Sequence, residues 1–193
     1  MNYDYLQAIF WSLTYVLIIT YNIKTKVSGI PPIAIASNFA WETVALINDI
    51  FRHNHANVIH IVWFFLDLII VITYLVCCKP LYFKHKIYLL FGYLAEVILL
   101  FFVFTDGGML LSCFIIDLIM AIEYAIYAFN KKVKFDFLLF MICVAKLFGD
   151  LCAWLYYKKF SVIVFIIGIA VLILNVFCVI TVAFRARREQ SIE

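Results

Sequence analysis

The chain has 193 residues, of which 67% are hydrophobic and 14% charged, with a mean hydropathy of +1.08. Ordinary soluble domains do not reach such values, and a net charge of +3 gives no reason to expect a nucleic-acid partner. The composition predicts an all-α polytopic membrane bundle forming a single transmembrane domain over residues 1–193.

A spanning helix needs about 20 mainly apolar residues. Seven stretches qualify, at roughly 4–22, 31–50, 58–78, 87–105, 109–129, 136–157 and 161–184. Short connections carry the turn and charge signals: Lys24-Thr25-Lys26, Pro31-Pro32, Lys79-Pro80, Asp106-Gly107-Gly108, Asn130-Lys131-Lys132 and Lys158-Lys159. The first stretch opens Met1-Asn2-Tyr3-Asp4, without a basic leader or small-residue cleavage site, and is expected to remain as the first helix.

The second stretch holds the most informative residue. Glu42 lies near its middle, where a charged side chain costs about 2.5–3.5 kcal/mol on insertion scales, so acids at that depth usually face a protein interior and mark function. An apolar interior penalises the ionised form, which leaves a protonated acid able to donate to an equally apolar substrate. Asn38 precedes it by one helical turn, with Trp41 alongside, so the Asn38 amide is expected to orient the Glu42 carboxyl. The plainer alternative is that Asn38 and Glu42 join helices by hydrogen bonds.

In the third stretch Trp63 and Asp67 repeat the i,i+4 spacing, and a short connection brings Asp67 to the depth of Glu42, where two carboxyls can share a proton. The fourth and fifth stretches add Glu96, Asp117 and Glu123, none with a basic partner at helical spacing. In the sixth, Lys146 and Asp150 are i,i+4 and can neutralise each other. Six acids facing lipid would cost more than about 10 kcal/mol together, so they are expected to converge on a polar interior that forms a cavity or conduit. Twenty Phe and twelve Tyr are mostly packing or lipid-facing, but those lining such a cavity would offer π faces to a cation.

Basic residues place the termini. Lys24, Lys26, Lys79, Lys84, Lys86, Lys131, Lys132, Lys134, Arg185, Arg187 and Arg188 fall on one side, against Arg52, Lys158 and Lys159 on the other. This predicts an outside N-terminus and a cytoplasmic C-terminus, in a bacterial inner membrane or the endoplasmic reticulum, with the basic tail touching anionic lipid. The six cysteines show no disulfide or zinc spacing and read as apolar packing. Asp49, His53, His55 and His60 could gather round a metal, although interfacial histidines are commoner, and no metal is assigned. No Asp-Asp-x-x-Asp, Asp-x-Asp-Asp, phosphate loop or Gly-x-Ser-x-Gly is present.

Asn38-Phe39-Ala40-Trp41-Glu42 in the second of seven spans resembles the Asn-x-Ala-Trp-Glu motif of the integral-membrane terpene cyclases of fungal meroterpenoid and indole-diterpene pathways and their bacterial relatives. Lys146-Leu147-Phe148-Gly149 is a looser likeness. The resemblance implies that Glu42 is the catalytic acid. Its proton would open a terminal epoxide or alkene of a lipophilic prenylated substrate, and the cation would cascade into fused rings without metal or organic cofactor. The family is also expected to use a second acid in its last helix. Here that helix offers Asn175, and Asp150 is the nearest late acid, so Asp67 and Asp150 are both candidates for the second role. Asn38, Trp41, Trp63, Glu96, Asp117 and Glu123 are the candidates for contacting substrate. A small proton-coupled transporter, or a scaffold whose polar groups only hold helices together, would use the same acids differently.

Overall fold

The computed structural model describes residues 3–53, 57–78, 89–90, 92–94, 96–98, 100, 106–129 and 137–190. Six long helices are complete within these: α1 (Tyr3–Thr25), α2 (Pro32–His53), α3 (Val58–Cys77), α4 (Asp106–Phe129), α5 (Phe137–Tyr157) and α6 (Val162–Gln190). The described residues between 89 and 100 are also helical, and no strand occurs among the described residues. Most of the fourth predicted stretch, 87–105, lies outside them.

Local chemistry sets the helix ends. Pro32 opens α2 at the position where its fixed φ is favourable and its missing N–H costs nothing. Asn57 caps α3 by accepting the Ile59 N–H at 2.9 Å. After α1 ends at Thr25, Lys26 takes a left-handed φ of 58°, as chains often do after a helix. α6 runs past the predicted end at 184 because Ala, Arg, Glu and Gln follow, all strong helix formers.

The helices close into a ring in the order α1, α3, α2, α4, α6, α5 and back to α1. Trp11, Tyr15 and Ile18 on α1, Ile35 and Val44 on α2, Ile70 on α3, Met120 on α4 and Ile142 on α5 supply the interior. Outward faces remain apolar, with Ile69, Ile72 and Val76 on α3 and Ile166, Ile173 and Ile180 on α6 exposed. Only 28% of the most apolar window of α6 is buried, so the rest of it needs lipid for company.

Five of the helices among the described residues, α1 and α3 to α6, are long and apolar enough to cross a membrane. At 22 residues α2 spans about 33 Å. Polar residues keep it out of that group: Asn38, Glu42, Asn48 and Asp49 are buried in the ring, Ser37 is buried against Glu96 on another side, and Ile33, Ile50 and Phe51 face out. This helix is therefore inverted relative to one from a soluble protein, and it carries the polar interior predicted from the acids.

One end of the ring is plugged. The Gly29 N–H donates to Asn22 Oδ1 at 2.8 Å, Asn22 Nδ2 donates to Thr73 Oγ1 at 3.2 Å, and the Tyr124 and Tyr127 hydroxyls donate to the Gly29 and Ser28 carbonyls. A Cβ on Gly29 would lie 3.0 Å from the Tyr21 ring, so the close approach of this loop depends on glycine. At the same end the Arg185 guanidinium donates to the Ala128 carbonyl at 2.6 Å and ties α6 to the last turn of α4.

Candidate functional site

Opposite the plug, two connected hollows run into the ring. The inner chamber, of about 20 Å³, is lined by Gln7, Trp11, Tyr15, Asn38, Trp41, Glu42, Trp63, Cys113, Ile116 and Asp117. The outer one, of about 420 Å³, lies among helix ends and is lined by Asp4, Asn48, Asn57, His60, Tyr157 and Phe160 among others. Gln7, Trp41, Trp63 and Cys113 line both and form the neck between them. The outer volume falls within the usual range for small-molecule sites, whereas the inner one has room for about one water molecule.

Both neck indoles are pinned. Trp63 Nε1–H donates to Ser12 Oγ at 3.1 Å, and Trp41 Nε1–H donates to Ser112 Oγ at 3.2 Å. Their ring faces are thus held in place by α1 and α4, as the walls of a passage for a cation need to be. Trp11 is fixed from behind, because Gly149 lets α5 approach so closely that a Cβ there would stand 2.9 Å from the indole.

Glu42 is 2% exposed and its Oε2 has no hydrogen-bond partner among the described residues. Glu96 and Asp150 each also hold one such oxygen, and what sets Glu42 apart is its place on the inner chamber. Asp67, Asp117 and Asp49 are the acids that act on it electrostatically.

The expected bond from Asn38 to Glu42 does not form. Asn38 Nδ2 spends both its hydrogens elsewhere, on Tyr15 Oη at 2.7 Å and Asp67 Oδ2 at 2.6 Å, linking α2 to α1 and α3. The neighbouring helices supply acceptors beside Asn38, and Glu42 sits one turn nearer the neck. No hydrogen bond joins the carboxyls of Glu42 and Asp67, so the proton-sharing expectation becomes an electrostatic coupling with Asn38 holding the second acid. Replacing Asn38 by Leu is expected to leave Tyr15 and Asp67 without their donor and to lower stability by about 1–3 kcal/mol, read from thermal unfolding in detergent.

Asp150 sits elsewhere. Its Oδ2 is 2.5 Å from Lys146 Nζ and 2.6 Å from Asn175 Nδ2, with the ammonium 5.2 Å from the Trp11 ring centre. Asp150 lines neither hollow. Asn175 thus stands against an acid contributed by α5, at the place where the resemblance led us to expect an acid on the last helix. Asp117 faces the inner chamber and also feels Lys146 and Asp150.

Two further candidates are not brought to the hollows. Glu96 accepts the Ser37 hydroxyl at 2.7 Å on another side of α2, and Glu123 is half-buried and lines neither cavity. The sequence reading missed Gln7, Trp11 and Tyr15, although they recur every fourth residue along one stripe of α1. Among the described residues no group of three or more His, Cys, Asp or Glu could hold a metal; the side chains of His53 and His55 lie outside them. His60 and Asp49 instead form a pair, with Nδ1 and Oδ2 2.7 Å apart.

A ring of membrane-length helices, closed at one end and leading through an aromatic neck to a buried carboxyl, defines a multi-pass membrane protein built round an acid-tipped apolar site. The chain belongs to the Pyr4-like transmembrane terpene cyclases, whose family model matches residues 3–116, more than half of its length. The matched part contains Asn38, Trp41, Glu42 and Asp67 and stops before Lys146 and Asp150. No curated protein and no solved structure matches the chain.

Proposed function

We propose that this terpene cyclase starts its reaction with the proton of Glu42. The observation that carries the reading is the partnerless, buried carboxyl oxygen of Glu42 at the inner end of a closed aromatic passage. The distal epoxide or alkene of a prenylated substrate lies at the neck, pointing toward Glu42 on the inner chamber, and its polar head stays in the outer hollow. Protonation places the new cation among Trp11, Tyr15, Trp41 and Trp63, and the tight neck keeps water from quenching it.

Asp67, held by Asn38, tunes the field at Glu42, whereas Asp150 is structural because its charge is already matched by Lys146. Trp41, Trp63, Asn38 and Asp117 shape the substrate's path. The bundle crosses the bilayer seven times with its N-terminus outside; the helical residues at 89–100 and the one-sided basic residues support this. The outer hollow lies among helix ends, which favours entry of the substrate at the membrane interface.

The test is expression in a host lacking terpene cyclases, feeding epoxidised and non-epoxidised prenylated aromatics, and mass spectrometry of the products. The expected result is a cyclised isomer of unchanged mass. Failure to convert any prenylated compound, together with substrate-driven proton flux in proteoliposomes, would replace this reading with the transporter.

A further inference from the structure

We infer that His60, held by Asp49 at the wall of the outer hollow, is the base that removes the proton ending the cyclisation. The inference rests on the cyclase reading above and assigns a step which that reading leaves without a residue.

A protonation-initiated cascade moves in one direction. The acid meets the distal end of the prenyl chain, each new ring carries the positive charge toward the attached head, and the last cation lies far from the acid. With Glu42 at the inner chamber and the head in the outer hollow, the terminating base must line the outer hollow. Glu42 itself is displaced from that end by seven residues of α2 relative to Asp49, about 10 Å along the helix axis. Asp67 lines neither hollow and is held by Asn38.

Among the described residues lining the outer hollow, Asp4, His60, Cys113 and Tyr157 are titratable. A thiol and a phenol keep their own protons and accept another poorly, which leaves His60 and Asp4. His60 has the geometry. Its Nδ1 is 2.7 Å from Asp49 Oδ2, which also accepts the Asn57 N–H at 2.9 Å. With Asp49 Oδ2 as its acceptor, Nδ1 carries the ring hydrogen, and in the neutral ring Nε2 then holds the lone pair. Asp49 is a positioning residue that fixes this tautomer and offsets the charge of the imidazolium once it forms. The ring meets Trp41 edge-on with centroids 5.8 Å apart and lies 6.4 Å from Trp63, so it stands on the outer side of the neck that the cation traverses.

In the step itself, a C–H bond next to the final cation breaks and its electron pair becomes the second bond of an alkene. The proton arrives on Nε2. One proton has left Glu42 for substrate and one has reached His60, so the product is an isomer of the substrate. Water at the mouth removes the proton from the imidazolium, and solvent restores one to Glu42 before the next turnover.

The experiment compares full-length wild type, His60→Asn, His60→Gln, Asp49→Asn, Asp4→Asn and Glu42→Gln in lipid nanodiscs, supplied with whichever prenylated aromatic wild type cyclises. Substrate consumed and the ratio of alkene to water-trapped alcohol are measured separately. Both His60 variants are expected to go on consuming substrate while the alkene share falls by about 100-fold, as loss of a general base implies. Asp49→Asn should shift the same ratio less, and Asp4→Asn should shift it less than either His60 variant does. An unaltered ratio in both His60 variants, or a shift confined to Asp4→Asn, overturns the inference and leaves the cyclase reading standing, provided Glu42→Gln stops consumption. A wild type that converts no prenylated compound overturns both.

Discussion

Glu42→Gln is expected to lower cyclisation by about 10²–10⁴-fold, the usual worth of a positioned general acid. The amide keeps the volume and a hydrogen-bonding head, but it has no acidic proton for an epoxide oxygen or an alkene carbon. Folding should survive. The Oε2 atom has no partner to lose, and a neutral amide removes one of the acidic groups that crowd this part of the ring with Asp67 and Asp117. Thermal unfolding in detergent is therefore expected at or above the wild-type midpoint while product formation collapses. The opposite pattern, a lowered midpoint with unchanged chemistry, belongs to a scaffold whose acids only join helices. Measuring activity and unfolding on one preparation separates the two.

The parts of this site that were legible in the sequence are those written along a single helix. Asn38, Trp41 and Glu42 fall within five residues, and Lys146 meets Asp150 across one turn, so helical spacing alone places them. What spacing does not carry is the choice of partner between helices. Asn38 turned from Glu42 to Tyr15 and Asp67 because α1 and α3 flank it, and Asn175 reaches Asp150 from 25 residues away. The sequence counted α2 among the apolar spans; in the fold its polar residues Asn38, Glu42 and Asn48 line the hollows.

The histidines show a related limit. Proximity in sequence allowed Asp49 and His60 to share a metal, although none was assigned, and the fold uses the carboxylate to hold one imidazole ring and to accept a backbone N–H at the start of α3. Such a pair looks identical to a half-built metal site until the third dimension is known. Glu96 and Glu123 were grouped with the working acids because depth is readable from sequence and facing direction is not when a helix is apolar on nearly every side.

Breaking the buried ion pair should have the largest effect on stability. Lys146 and Asp150 have side chains only 3% and 2% exposed, so removing either partner leaves an uncompensated charge in the ring. Lys146→Met leaves the Asp150 carboxylate with only the neutral Asn175 and Trp11 side chains as polar contacts, and Asp150→Asn strands the ammonium over Trp11. Each is expected to cost about 3–5 kcal/mol, the range seen when a buried pair loses one member. Removing both charges is a different experiment. Lys146→Met combined with Asp150→Leu fills the space with apolar groups and should recover most of that loss, because a buried pair contributes little beyond what its own desolvation takes away. Thermal unfolding of the two single variants and the double variant reads the stability half of this expectation. Cyclisation by the double variant reads the other: product formation close to wild type fits a pair that only closes the bundle behind Trp11, whereas a stable but inactive double variant would return Asp150 to the chemistry.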